Sequence, residues 1–500
     1  MLERNVLRLA AGSAVVGLAL AATAAGLAGP WDGGQRRAER ARAVEPAGTG
    51  GAHHDRPAPA APAPSAAAVL TPLTPPTAPP ARIASLPLAP ALDPLLRAPG
   101  LGSLRTASVV DVATGRRLYG HGAATPMTPA STIKIATAAA ALSALGPDHR
   151  LATTVVAAPG NRTITLVGGG DPTLDGGRLK RLADDTAKAL RTAQTTEVTL
   201  AYDTSLYEGP VRHRIGVNDN IAPVTPLMTD EARLDGSAWG PAPRAMDPAG
   251  RTAREFAKLL RTRGITLTGA PAESRTESLT ESRTESPTGS GAGSGAGSRS
   301  PEQPKKQIAA AYSAPLAALV ERTLTFSDND LAEALARATA RATGHPASFD
   351  GAGRAVRAEL RKLGVPLDGA RFADGSGLDR RNRVSARLLT GLLTRAADPA
   401  HPTLRPVLTG LPVGGFSGTL RSRYADGSPA AGLIRAKTGT LTGVNALAGT
   451  AVTADGRLLA FAFLAGDTPS PSRAQRALDA LATALTSPYA TTRPAPHTAG

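Results

Sequence analysis

Residues 127–145 read MTPASTIKIATAAAALSAL, and this stretch decides how the rest of the chain is interpreted. Thr128-Pro129 predicts a helix start, and the Ala-rich run predicts a helix that continues to Leu145. Ser131 and Lys134 stand three residues apart, so their side chains share one face of that helix. A lysine of lowered pKa can take the proton of a serine hydroxyl and make it a nucleophile. The stretch predicts a serine nucleophile with a lysine base; the alternative is a solvated lysine.

A second lysine occupies an unusual place for a charge. Lys437-Thr438-Gly439-Thr440 lies inside an apolar run that predicts a strand, where an unpaired buried charge is costly. Gly439 lets another backbone or a substrate approach closely. A cation beside hydroxyl groups on a strand edge suits a carboxylate, and the edge can pair with an extended peptide.

The third motif is Ser327-Asp328-Asn329, which lies between two helical runs. One interpretation is a helix cap, because all three residue types favour that position. The other is a site in which a second hydroxyl relays a proton and the amide holds a substrate amide. Each of the three motifs occurs once and in this order, and the set S-x-x-K, S-D-N and K-T-G is typical of penicillin-binding proteins and class A β-lactamases.

With these motifs the chain resembles the serine D-Ala-D-Ala carboxypeptidase/endopeptidases. These are the class C low-molecular-mass penicillin-binding proteins, peptidase family S13, and the resemblance is to actinobacterial members. It covers roughly residues 93–488. Three further stretches carry it: GGGDPTL at 168–174, DGSGL at 374–378 and LPVGGFSGTL at 411–420. The glycine-rich parts of the first two are interpreted as tight turns with structural roles.

The resemblance implies a role for each motif. Ser131 would attack the carbonyl of the D-Ala-D-Ala bond of a peptidoglycan stem peptide, and Lys134 would accept its proton. Ser327 would pass a proton to the leaving D-Ala nitrogen with Lys437 close by, and Asn329 would hold the acyl-side amide and orient Lys134. Substrate binding is expected from Asp328, Thr438, Gly439 and Thr440. The N–H groups of Ser131 and Thr440 would form the oxyanion hole, water would release the acyl-enzyme, and β-lactams would act as inhibitors that trap Ser131.

The implied fold is α+β: a β-lactamase/transpeptidase-like domain, with an antiparallel sheet flanked by helices and an all-helical subdomain, that carries an inserted smaller α/β domain. Residues 93–160 and 308–488 are expected to form the catalytic domain, 161–270 the insertion and 271–307 a low-complexity loop. The family's best-known members carry a longer insertion of two domains. The interval between Ser131 and Ser327 is shorter in this chain, so the outer of these two domains is expected to be reduced or absent.

The N-terminal segment predicts export. Residues 1–29 place two arginines before a long apolar run that ends in small residues, which indicates a signal peptide or a membrane anchor. Arginines directly after the run favour cleavage. Residues 30–92 are Ala/Pro-rich and predict a disordered linker, and 489–500 predict a flexible tail. The protein is expected to be extracytoplasmic, either secreted or anchored at the cell envelope.

The composition of the 500 residues excludes several classes of function. There is no cysteine, so disulfides, thiolate catalysis and cysteine-based zinc sites are ruled out. The histidines are scattered without an H-E-x-x-H pattern, so no metal and no cofactor are implied. The net charge of +16 suggests the hypothesis that the protein binds nucleic acid. Attraction to an anionic cell envelope explains it better in an exported, arginine-rich chain, so no nucleic acid is expected.

Two rival functions share parts of this pattern. A class A β-lactamase carries the same three motifs but needs a glutamate that activates the deacylating water, and no E-x-x-L-N segment is present. The other rival is a non-catalytic penicillin-binding sensor or wall-binding module with a vestigial site. The three intact motifs argue against such decay.

Overall fold

A computed structural model describes residues 88–274, 305–424 and 427–486. The predicted export segment, the tail from 489 and most of the predicted linker and low-complexity loop lie outside these residues. Within the described ranges, none of the helices combines the length and the apolar composition needed to cross a bilayer.

The described residues contain eleven strands and ten α-helices. The strands are β1 (Leu104–Asp111), β2 (Arg117–His121), β3 (Ala152–Ala157), β4 (Thr163–Val167), β5 (Glu197–Asp203), β6 (Thr266–Leu267), β7 (Ala272–Glu273), β8 (Lys306–Tyr312), β9 (Ile434–Leu441), β10 (Val444–Val452) and β11 (Leu458–Gly466). The helices are α1 (Ala89–Leu96), α2 (Lys134–Leu145), α3 (Gly176–Thr192), α4 (Pro248–Arg261), α5 (Leu316–Phe326), α6 (Asn329–Ala342), α7 (Phe349–Lys362), α8 (Ala386–Ala397), α9 (Arg405–Thr409) and α10 (Pro471–Thr486).

The first sheet is antiparallel and has the strand order β2-β1-β11-β10-β9. Alternate residues of β11 face opposite sides, so Ala460 and Ala462 pack on a helical core while Phe461 and Phe463 pack against α1 and α10. Helix α2 lies inside the helical core, and its run of buried alanines lets α6 and α7 approach closely. This arrangement confirms the predicted α+β fold.

The second sheet has the order β6-β5-β4-β3-β8, with β7 pairing β5 as well. Helices α3 and α4 share a core with it. The strand pairing corrects the predicted boundaries of the insertion, 161–270. Strand β3 pairs with both β4 and β8, so the inserted segment begins near residue 151 and ends near residue 313.

Two other predicted boundaries are wrong. Helix α1 starts inside the predicted linker 30–92, because Leu88, Leu92 and Leu96 share one face and are buried. The helix predicted from Met127 starts later. Met127 makes an isolated antiparallel bridge with Val384, and a 3₁₀ turn at Ala130–Ile133 precedes α2.

Candidate active site

Ser131 and Lys134 meet where the 3₁₀ turn becomes helix α2. Ser131 is half-buried in the turn, and Lys134 is the first residue of α2 and is fully buried. Lys134 Nζ lies 3.0 Å from Ser131 Oγ. Ala130, directly before the serine, has a φ of 46°, a left-handed conformation that is strained for alanine. The backbone therefore holds the serine in a fixed position beside its lysine.

Two further acceptors surround the lysine amine. Lys134 Nζ donates to Asn329 Oδ1 at 2.7 Å and to the carbonyl oxygen of Ser376 at 2.5 Å. Burial lowers the pKa of Lys134 to about 8, although Asp374 and other buried carboxylates oppose the shift. With Ser131, the three acceptors match the three N–H bonds of an ammonium group. Loss of one proton frees a lone pair that can face the serine hydroxyl.

The Ser327-Asp328-Asn329 motif joins α5 to α6. Ser327 ends α5 in a left-handed conformation with φ of 60°, and Asn329 is the first residue of α6. The two ends of the Asn329 amide are both used, because Oδ1 accepts from Lys134 and Nδ2 donates to the Asn220 carbonyl at 2.9 Å. The motif therefore connects Lys134 to the inserted segment.

Asp328, which is predicted to bind substrate, makes structural contacts of its own. Its carboxylate caps α6 by accepting from the Leu331 N–H at 3.0 Å, and it faces Arg322 Nε at 3.4 Å. The side chain is almost completely buried. The geometry therefore favours the helix-cap alternative for this carboxylate.

The Lys437-Thr438-Gly439-Thr440 motif lies on β9, an edge strand of the first sheet. Lys437 is fully buried and donates to the Thr438 carbonyl at 2.8 Å. Burial and the charge of Lys134 lower the pKa of Lys437 well below its usual value. The Thr438 hydroxyl donates to Thr419 Oγ1 at 3.0 Å. A Cβ on Gly439 would lie 2.7 Å from the Pro129 carbonyl oxygen, so glycine lets the 3₁₀ turn that carries Ser131 pack on β9.

A cleft of about 230 Å³ brings the three motifs together. Of the predicted residues, Ser131, Ser327, Asp328, Asn329, Thr438 and Thr440 line it, while both lysines are buried. A larger surface cavity of about 1110 Å³ between β1 and α8 contains none of the predicted residues. The motifs, rather than cavity size, mark the candidate site.

The cleft also has residues that the sequence analysis did not assign to it. Its additional lining includes Asn220, Arg233, Trp239, Arg244, Phe326, Leu378 and Thr419. Four of these come from the insertion. Trp239 stacks on Phe326 with ring centroids 4.8 Å apart. Of these residues, only Trp239 could have been singled out from the sequence, because the chain has just two tryptophans.

The DGSGL stretch has a structural part and a part that touches the site. Gly377 has a φ of 91°, and a Cβ there would lie 2.1 Å from the Ala130 carbonyl oxygen. Asp374 accepts from the N–H groups of Gly377 and Asp379 and from His213 Nε2 at 3.0 Å. This closed turn presents the Ser376 carbonyl to Lys134, a contact made by the backbone and therefore without a side-chain signal.

Two groups of buried side chains have metal-ligating types: His213 with Glu333 and Asp374, and Glu231 with Asp328 and Asp330. The first group meets N–H donors of the DGSGL turn, and the second meets arginine side chains. Both sets therefore already contact positive or hydrogen-donating groups of the protein itself.

An antiparallel sheet flanked by helices, with Ser131 and the buried Lys134 at the start of the central helix, defines a transpeptidase-like fold. The model of the D-Ala-D-Ala carboxypeptidase 3 (S13) family matches residues 88–237 and 291–485, and the chain belongs to this family.

Relatives of known name agree with the family. The chain is 37% identical to the carboxypeptidase DacB of Mycolicibacterium smegmatis, over 80% of this chain and 84% of that protein. It is 31% identical to the D-alanyl-D-alanine carboxypeptidase of an Actinomadura species, over 72% of this chain and 77% of that protein. The crystal structure of penicillin binding protein 4 from Haemophilus influenzae has the same fold, with a TM-score of 0.62, 20% identity and coverage of 78% of this chain and 97% of that one.

Proposed function

We propose that this protein is a serine D-Ala-D-Ala carboxypeptidase/endopeptidase that acts on peptidoglycan stem peptides through an acyl-serine intermediate. Family membership and the names of the relatives support the reaction class. The observation that carries the mechanism is the buried Lys134 amine, 3.0 Å from Ser131 Oγ and with a pKa lowered to about 8. A base of that pKa is partly neutral near pH 7 and can accept the serine proton.

Acylation begins when neutral Lys134 takes the proton of Ser131. The serine oxygen forms a bond to the carbonyl carbon of the scissile D-Ala-D-Ala peptide, and the carbonyl electrons move to the oxygen. The N–H groups of Ser131 and Thr440 stabilise this oxyanion. When the C–N bond breaks, Ser327 donates a proton to the leaving nitrogen and is reprotonated through the lysines. Water then attacks the ester and releases the shortened peptide.

The terminal carboxylate of the substrate is recognised on β9. Thr438 and Thr440 supply hydroxyl groups at the cleft, and Lys437 lies buried next to Thr438. Burial and Lys134 lower the pKa of Lys437, so an entering carboxylate raises it again and favours the cation. Substrate binding and the charge of Lys437 are therefore linked. The same pairing explains why β-lactams, which carry a carboxylate, would act as inhibitors.

The substrate places the enzyme outside the cytoplasm, at the cell envelope. This agrees with the export segment predicted for residues 1–29, either as a cleaved signal peptide or as a retained membrane anchor. The basic net charge of +16 favours contact with an anionic envelope.

Intact-mass spectrometry after incubation with penicillin G tests the proposal. The full chain is expected to gain one penicilloyl mass on the peptide that contains Ser131, and Ser131→Ala is expected to gain none. D-Ala release from a pentapeptide then separates turnover from mere binding. A folded protein that forms no adduct would contradict the acyl-serine mechanism, and adduct formation without any D-Ala release would favour a non-catalytic penicillin-binding module.

A further inference from the structure

The inserted segment contacts three consecutive residues at the start of α6. The Asn220 carbonyl accepts from Asn329, and the Ala222 N–H donates to Asp330 Oδ1 at 2.8 Å. Glu231 faces Asp328. One carboxylate oxygen each from Glu231, Asp328 and Asp330 lies within 4.8 Å of the other two. The insertion thus holds the element that supplies Asn329 to Lys134.

Glu231 lies at the centre of this contact and is 1% exposed. Its carboxyl group accepts from Arg233 Nε at 2.9 Å and from Arg322 Nη2. Arg322 also faces Asp328, and Arg244 reaches from the Glu231 carbonyl at 2.6 Å to Asp330 at 3.1 Å. Three arginines therefore bracket three acids between the insertion and the Ser327–Asn329 element.

The backbone that carries Glu231 is strained. Asp230, Glu231 and Ala232 have φ values of 49°, 53° and 58°, three consecutive left-handed residues without a glycine. Such a turn is unfavourable for L-amino acids and persists only where the surroundings fix it. The N–H groups of Asp230 and Glu231 donate to the carbonyls of Leu174 and Pro172, which anchors the turn in the insertion.

The pKa values of Glu231 and Asp328 are shifted in opposite directions. Burial raises the pKa of Glu231, and the charge of Asp328 adds to this. Burial opposes the ionisation of Asp328, but its hydrogen bond with Glu231 and the Leu331 N–H lower its pKa overall. Each carboxyl group therefore affects the ionisation of the other, as expected for two acids that share the contact with Arg322.

We propose that Glu231 is a positioning residue for the proposed acylation reaction. It holds Asp328, and through it the Ser327–Asn329 element, in the geometry in which Asn329 meets Lys134. The inference rests on the proposed function, and it gives the insertion a part in the active site. What matters for this role is the reach of the side chain to Arg322, which also faces Asp328.

A pair of substitutions separates reach from charge. Glu231→Gln keeps the length and an acceptor oxygen toward Arg322 but cannot ionise, whereas Glu231→Asp keeps the carboxyl group but is one methylene shorter. In the full chain, we expect acylation by penicillin G to be slowed about threefold in Glu231→Gln and about 100-fold in Glu231→Asp, since small displacements of catalytic groups cost rates of that order. In D-Ala release the loss should appear in kcat and leave KM nearly unchanged.

Glu359 provides the matched control. It is also 1% exposed, lies on α7 and accepts from Ser143 Oγ at 2.9 Å, away from the cleft. Glu359→Gln and Glu359→Asp should lower the thermal midpoint but leave acylation within about twofold of wild type, because a buried glutamate outside the site affects stability alone. If Glu231→Asp is acylated as fast as Glu231→Gln, or no slower than the Glu359 variants, the positioning role is wrong.

Hydrogen exchange gives a readout that does not depend on activity. The Leu331 and Ala222 N–H groups, which donate to Asp328 and Asp330, should exchange faster in Glu231→Asp than in Glu231→Gln or the Glu359 variants. Unchanged exchange in Glu231→Asp would overturn the inference. A wild-type chain that is never acylated would overturn the proposed function, and this exchange comparison would still decide whether Glu231 holds the element.

Discussion

At the scale of single residues, the site depends on two lysines that the fold removes from water. Lys134 and Lys437 are both fully buried, and burial lowers the pKa of each. A buried lysine lowers the free energy of unfolding in its charged form, as is common for residues that a protein keeps for its function. Lys134 gains hydrogen-bond acceptors and can act as a base, whereas Lys437 is left with the Thr438 carbonyl and is suited to receive an anion.

The pH dependence of acylation tests the role of Lys134. Its pKa is lowered to about 8, so the neutral amine is the minor form at pH 7 and the major form at pH 9. The rate of acylation by a β-lactam should therefore rise about tenfold per pH unit below the pKa and level off above it. Timed intact-mass measurements between about pH 6 and pH 9.5 check this. A flat profile in folded wild-type protein would exclude Lys134 as the titrating base.

Sequence spacing predicted the side chains of the site better than its backbone. Ser131 and Lys134 are three residues apart on one turn, so a local rule suffices to bring them together. The Ser376 carbonyl and the Asn220 carbonyl each contact a predicted residue, yet every residue type has a carbonyl. Such contacts follow only from the tertiary fold.

At the scale of elements, strand β9 and the 3₁₀ turn that carries Ser131 pack so closely that a methyl group does not fit between them. In Gly439→Ala the new Cβ would lie 2.7 Å from the Pro129 carbonyl oxygen and 3.2 Å from Ala130 Cβ. The first of these is backbone, so the turn that carries Ser131 must move. We expect a loss of about 1–3 kcal/mol in the free energy of unfolding and acylation slowed by about 100-fold.

Gly176→Ala is the matched control for this substitution. Gly176 begins α3, and an added Cβ there meets no atom within 4 Å. Stability should be unchanged or slightly higher, and acylation should match wild type. Thermal melts and timed mass spectra on both variants decide the matter. Wild-type acylation in Gly439→Ala would show that the turn is less tightly constrained than the structure indicates.

The sequence predicts the boundaries of the elements less well than their type, because the boundaries depend on which distant segments pair with one another. The apolar pattern of β3 predicts a strand but does not say which sheet it joins, and its partner β8 lies about 150 residues later along the chain. Helix α2 starts later than the sequence predicts because Met127 pairs with Val384 instead of continuing the helix. Both errors come from long-range contacts that override local propensity.

At the scale of the whole molecule, the insertion belongs to the catalytic structure although it has its own sheet. Its sheet and helices α3 and α4 form a separate core, whereas its segment from Asn220 to Arg244 meets the start of α6. The mixture of short strands and helices predicts a second domain here, and the family resemblance implies that it is inserted. The sequence could not predict this contact, because the acids and arginines involved are spread over about 100 residues and resemble ordinary surface charges.

The stretch from 275 to 304 is predicted to be dispensable for catalysis. Strand β7 ends beside β5 and β8 begins beside β3, so the registers place these ends about 20 Å apart at the usual strand spacing. A linker of about twelve Gly and Ser residues spans this distance easily. Replacing residues 275–304 by such a linker should leave acylation within about twofold of wild type and raise the free energy of unfolding by up to about 1 kcal/mol, because a shorter loop closes at lower entropic cost. Timed mass spectra and denaturant unfolding provide the measurement, and a variant that unfolds cooperatively but is no longer acylated would show that this stretch contributes to the site.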